Sequence, residues 1–166
     1  MDSLDLIIAY TLMVAPFIVL LLAIICYIKQ KQFDKRILEL QILQKNKLQQ
    51  LINNETTVTP AEFLANRRTL FSSSNDFTGV YILHNCTKDL YYVGQGKKVF
   101  QRVYSHVSGH GNGDVYADYK YGDHFTIAMI SLAKSGYIRL DELEREMIFA
   151  YDAYTKGYNR TRGNRR

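Results

Sequence analysis

Apolar and polar positions divide this chain into stretches of different period. No charge interrupts the apolar run from 6 to 28, and about 20 such residues let a helix cross the roughly 30 Å hydrocarbon core of a bilayer. Residues 5–28 therefore read as a transmembrane helix. Pro16 lies within the run; it would break a soluble helix, whereas in lipid neighbouring groups satisfy the carbonyl it frees. Residues 29–55 are amphipathic instead, with Phe33, Ile37, Leu40, Leu48 and Leu51 at helical spacing among Gln, Lys and Glu. The stripe is thin and Gln44 interrupts it, so the segment is either a helical spacer or a short coiled coil joining copies of the chain through 33–52. Thr59-Pro60-Ala61-Glu62 combines an N-cap threonine, proline at the first helical position and a glutamate three residues after the cap. That starts a short helix running to about Leu70, followed by a polar linker, so that 59–76 is a short helix and linker.

From Phe77 the pattern becomes β. Residues 78–84 and 90–93 are rich in Tyr, Val and Ile and are joined by a polar turn over 85–89. A helix is expected over 98–107, then a glycine-rich turn over 108–114, a short helix around 116–121, a third strand over 124–132, and a helix over 140–154 with apolar residues at 140, 143, 147, 151 and 154. The economical architecture is α+β: a small three-stranded, mostly antiparallel sheet flanked by helices, occupying 77–166 together with a basic tail.

Charge gives this outline a direction. Lys29, Lys31, Lys35 and Arg36 follow the apolar run while Asp2 and Asp5 precede it, which predicts an N-terminus outside and the C-terminal domain in the cytoplasm. The acidic start and the missing small-x-small cleavage site argue against a signal peptide. Cys26 lies in the span and Cys86 in a turn, so the two cysteines cannot pair within one chain. Net charge is +5, and Arg160, Arg162, Arg165 and Arg166 crowd the C-terminus. That tail reads either as a phosphate contact, together with Lys97 and Lys98, or as a merely solvated terminus.

Two short words stand at the first hairpin, Gly79-Val80-Tyr81 and Tyr92-Val93-Gly94, followed in order by Arg102, His106, Glu144 and Asn159. This ordered set resembles the GIY-YIG nuclease family, with valine replacing isoleucine in both words. The resemblance implies a mixed α/β fold and a metal-dependent endonuclease that hydrolyses DNA phosphodiester bonds. It implies that Tyr81 and Tyr92 lie near the attacking water, one of them as general base, that Arg102 contacts the scissile phosphate, and that His106 supports. Gly79 and Gly94 are the motif glycines, and Asn159 matches the family's terminal asparagine; taken alone it would be a helix cap.

Such a base needs help, because a tyrosine of pKa near 10 is ionised to only about 10⁻³ at pH 7. Arg102 is the expected cation. For the metal ligand a helical wheel separates three glutamates: Glu144 falls within the apolar arc, while Glu142 and Glu146 face water. An inward carboxylate is costly unless it is paired or binds a cation, and Glu144 also heads the family's Glu-x-x-apolar-Ile spacing. Oxygen ligation suits Mg²⁺ or Mn²⁺; the competing reading pairs Glu144 with Arg102 or Lys98. His106 and His110 do not read as zinc ligands, since Gly109 and Gly111 break the helix between and after them. Competing with an enzyme are a catalytically silent nucleic-acid-binding module and a membrane-anchored assembly protein.

Overall fold

The computed structural model describes residues 2–54 and 56–163, and its contacts fall into two compact units, Met1–Lys47 and Leu48–Arg166. Helix α1 (Ser3–Asn53) supplies the described part of the first unit apart from Asp2 and carries Pro16 within it. It is long and apolar enough to cross a membrane. Leu12, Phe17, Val19, Leu20 and Leu22 are all exposed, and at 100° per residue they lie all round the helix.

In the second unit four strands form one antiparallel sheet: β1 (Thr57–Val58), β2 (Gly79–Asn85), β3 (Leu90–Gly96) and β4 (Phe125–Ser131), in the order β1-β4-β2-β3. The additional strand β1 pairs Thr57 with Ala128 and Val58 with Ile127; two residues are too few to show a period. The helices are α2 (Pro60–Ala65), α3 (Val99–Val107), α4 (Gly113–Lys120), α5 (Leu132–Ser135) and α6 (Leu140–Ala150).

Alternation along β2 sorts the core into two layers. Tyr81 and Leu83 join Phe63, Val99, Val103 and Val115 on one face, that of α2, α3 and α4. Val80 and Ile82 join Leu143, Met147 and Ile148 of α6 on the other, where Leu48, Leu51 and Ile52 also pack.

Several element ends differ from the sequence expectation for local reasons. The capping box at Thr59 and Glu62 forms in both directions, but α2 stops at Ala65, and Asn66 O then accepts from the Thr69 and Phe71 amides as the chain turns. Helix α4 begins earlier than expected because Asn112 Oδ1 accepts from the Asp114 and Val115 amides. Helix α6 ends at Ala150, two residues before Asp152 takes a positive φ of 51°.

Past α6 the chain returns along the free edge of β3, where Tyr158 N donates to Tyr91 O at 2.9 Å. Its anchor is polar: Tyr158 Oη donates to Asp118 Oδ2 at 2.6 Å and accepts from Asn85 Nδ2 at 2.7 Å. Asn85 is fully buried, and its Oδ1 accepts from the Thr87 and Lys88 amides. Asn85→Ala should therefore lower stability by about 2–4 kcal/mol, more than a lost side-chain contact alone, because several partners are left unsatisfied together. Urea unfolding followed by circular dichroism measures this; a loss below about 0.5 kcal/mol would contradict it.

Candidate active site at the edge strand

Strand register places the two motif words face to face. Tyr81 pairs with Gly94 and Leu83 with Tyr92, so Tyr81, Tyr92 and Gly94 share the sheet face covered by α3. A Cβ at position 94 would collide with Tyr81 Oη and Cζ. Only glycine lets the Tyr81 ring lie across β3. Gly79 is equally constrained, by the Ile130 carbonyl.

Helix α3 presses Val99 and Val103 fully into the core and brings His106 in beside them. His106 Nε2 lies 3.0 Å from Tyr81 Oη, and the His106 ring centroid is 4.7 Å from that of Tyr92. The Asn112 amide donates to His106 Nδ1 at 2.9 Å. With Nδ1 accepting, a neutral imidazole carries its proton on Nε2 and donates it to Tyr81. Burial, followed by the nearby Arg102 charge, lowers the His106 pKa to about 4, so the ring is neutral at physiological pH. Gly111 makes room for that ring, since a Cβ there would come within 2.5 Å of Nδ1.

Both phenols are pushed above their ordinary range. Tyr81 is raised by burial and by Tyr92, with Arg102 opposing. Tyr92 is raised by burial and further by Glu144, against the Tyr81 hydrogen bond and Arg102. The expectation that Arg102 would depress a phenol is thus only partly met: its effect has the expected sign, but desolvation outweighs it, and both tyrosines are protonated near pH 7. Arg102 itself is exposed, and its stem runs over Gly96, where a Cβ would come within 2.8 Å of Arg102 Cγ.

Glu144 approaches from the opposite face of the sheet. It is 8 % exposed, and Gln95 Nε2 donates to its Oε2 at 2.9 Å and to Asp141 Oδ1 at 2.7 Å. Glu142 and Glu146 are half-buried, not in open water as the wheel suggested. Glu146 lies at the rim of the buried arc, roughly 60° from Leu143, and burial followed by the Glu142 charge raises its pKa.

The two faces meet because β3 is the outer strand. A cleft of 230 Å³ at its edge is lined by Tyr92, Val93, Asn112, Glu144, Asn159 and Arg160, among others. Asn159 is no helix cap, since α6 is capped at Tyr151. Its Oδ1 accepts from Val93 N at 2.8 Å and its Nδ2 donates to Val93 O at 2.7 Å. The side-chain amide thereby serves as a neighbouring strand for the residue between Tyr92 and Gly94.

The basic candidates are scattered by comparison. Lys97 and Lys98 are exposed at the start of α3, Arg160 pairs with Asp114 at 3.1 Å, and the Arg162 guanidinium lies 5.2 Å from the Tyr154 ring centroid. Arg165 and Arg166 lie outside the described residues. Sequence reasoning missed Gln95, Gly96, Gly111 and Asn112. Gln95 was within reach of it, since alternation from Val93 puts it on the α6 face.

A family model described as the GIY-YIG catalytic domain matches residues 77–159. The chain belongs to the GIY-YIG family. No curated protein and no solved structure matches it. Membership supports a nuclease-type function, and GIY-YIG nucleases generally use divalent metals.

The buried His106 also yields a pH signature. Its folded pKa of about 4 lies below the ordinary histidine value of 6.5, so the unfolded chain binds the extra proton between those values. This contribution is complete above about pH 6.5 and is lost as pH falls towards 4, amounting to roughly 3 kcal/mol. Melting temperature should fall across that window, and His106→Phe should flatten the fall; equal slopes in the two proteins would show that His106 is not buried in its neutral form.

Proposed function

We propose that this domain is an endonuclease that hydrolyses DNA phosphodiester bonds with one divalent cation, Mg²⁺ or Mn²⁺, and that α1 anchors it in a membrane. One observation carries the catalytic reading: Tyr81, Tyr92, His106 and Arg102 from one sheet face and Glu144 from the other meet around a single edge strand. A merely structural domain has no need to bury a histidine against two phenols beside a carboxylate.

The donor chemistry fits a hard cation. Glu144 offers carboxylate oxygen at a cleft wall, and among the described residues no group of three or more His, Cys, Asp or Glu could hold a metal. A site with one carboxylate suits an ion that keeps water and substrate phosphate as its other ligands. A cation on Glu144 would neutralise phosphate charge and relieve the Glu144 field that now raises the Tyr92 phenol.

The remaining roles belong to the chain itself. Arg102, exposed beside the phenols, is suited to the non-bridging oxygens of the phosphate and to charge that develops there. Tyr81 Oη accepts from the His106 Nε2–H, and its ring is fully buried, away from any attacking water. Tyr92 is only half-buried and lines the cleft. Tyr92, at the cleft, is accordingly the phenol we assign as general base, and Asn159 holds the strand that carries it.

For the anchor, the exposed apolar surface all round α1 and the basic residues after Ile28 support a single pass with the N-terminus outside and the nuclease in the cytoplasm. A reporter fused after Arg166 should be active only in its cytoplasm-requiring form. Activity solely of the exported form would reverse the orientation.

Glu144→Gln tests the chemistry most sharply. The amide keeps the shape and loses the charge that binds the cation, so plasmid nicking with Mg²⁺ should be abolished while melting temperature and most DNA affinity remain. Glu146→Gln should stay active within about tenfold. Lost activity with a collapsed melt would make Glu144 a structural residue, and full activity in Glu144→Gln would exclude it as the ligand.

A further inference from the structure

The segment between α2 and β2 is more than a linker. Arg67, Arg68, Ser72 and Ser73 on it face Lys98 and Gln101 at the start of α3 across a groove of 530 Å³. Aromatic packing fixes its floor, with the Phe71 centroid 4.9 Å from Phe63 and 5.2 Å from Phe100. One wall is fixed by the Arg67 guanidinium, 3.6 Å over the Tyr104 ring. Asp76 is the one carboxylate among the lining residues, and it is engaged. Its Oδ1 accepts from the Phe77 and Phe100 amides at 2.9 and 2.8 Å, and its Oδ2 from Gln101 at 3.2 Å. Two guanidinium groups and an ammonium group are thus opposed by a single carboxylate already committed to the start of α3, and the groove attracts anions.

We propose that this groove binds the sugar-phosphate backbone of the nucleic acid next to the bond that is cut. The inference rests on the nuclease reading and names where its substrate runs. The start of α3 makes the connection: Lys98 is its N-cap residue, and its carbonyl accepts from the Arg102 amide at 3.1 Å, which puts the two residues one turn apart. A backbone held at Arg102 meets Lys98 next and then Arg67 and Arg68. An anionic lipid surface offers the same charge but is flat, whereas this site is concave and its Lys98 lies one turn from Arg102. Because the groove is already packed, little ordering opposes binding. Arg67 and Arg68 lie outside the matched domain, so this contact would be particular to how the chain extends it.

The test uses the full chain in neutral detergent. DNA binding is read by fluorescence anisotropy of a short duplex in EDTA over a range of salt, and nicking is read separately with Mg²⁺. Arg67→Gln/Arg68→Gln is compared with Lys120→Gln/Lys134→Gln, two exposed lysines that line neither the groove nor the cleft. The groove variant should weaken binding to unrelated sequences alike and reduce the salt slope by about 2. It should raise KM more than it lowers kcat, with melting temperature unchanged. Wild-type slope and KM in the groove variant, or an equal change in the control pair, would overturn the proposal. So would intact DNA affinity accompanied by lost binding to phosphatidylserine-doped micelles, which would mark the groove as a lipid contact. A wild-type chain that binds DNA in EDTA yet never nicks it would sink the nuclease reading while the binding arm still decided on the groove.

Discussion

The site depends on one steric fact, that Tyr81 lies where a side chain at position 94 would be. With its ring across β3, Tyr81 brings Oη to His106 on α3 and its ring centroid to 6.2 Å from that of Tyr92. A methyl group at 94 would lift the ring, and with it the acceptor for the His106 proton. The strand, the helix and the two phenols are therefore coupled through a residue with no side chain of its own. That is a physical reason for the spacing of the two words: antiparallel register sets the tyrosine of the first opposite the glycine of the second.

The same device recurs around the cleft. Gly96 leaves space for the Arg102 stem, and Gly111 leaves space for the His106 ring. Each glycine admits a side chain carried by another part of the chain, so the functional groups approach the backbone instead of standing off it. Gln95 and Asn159 supply the polar counterpart, one holding the Glu144 carboxylate and the other occupying the open edge of Val93. Backbone groups at a sheet edge must find partners, and here a side-chain amide fills that need where a further strand would close the cleft.

Much of this was legible because it is written in local periods. Alternation gave the hairpin, helical spacing gave the inward side of α3, and the capping box at Thr59 and Glu62 formed as read. The residues that escaped notice act through distant contacts. Asn112 reaches His106 through its backbone amide, which any residue but proline would provide, so its identity carries no trace of that bond. Gly96 and Gly111 look like ordinary turn glycines until the partner side chains are in place. Asp76 reads as one more polar residue in a linker, although its carboxylate accepts from the Phe100 and Gln101 amides. The half-burial of Glu146 escaped a wheel that knows only the direction of a side chain and not the height of its surroundings.

Burial governs the electrostatics in the same way. Arg102 favours ionised phenols, yet desolvation leads for both Tyr81 and Tyr92, and Glu144 adds to it at Tyr92. A domain in this state holds its candidate base protonated and its histidine neutral. The opposing influences on Tyr92 are unequal in kind, however: desolvation is fixed by packing, whereas the Glu144 contribution exists only while that carboxylate remains uncompensated. Charge compensation at Glu144 and ionisation of Tyr92 therefore favour each other across β3. An edge strand permits this coupling, because groups from opposite sheet faces come together only where no further strand intervenes.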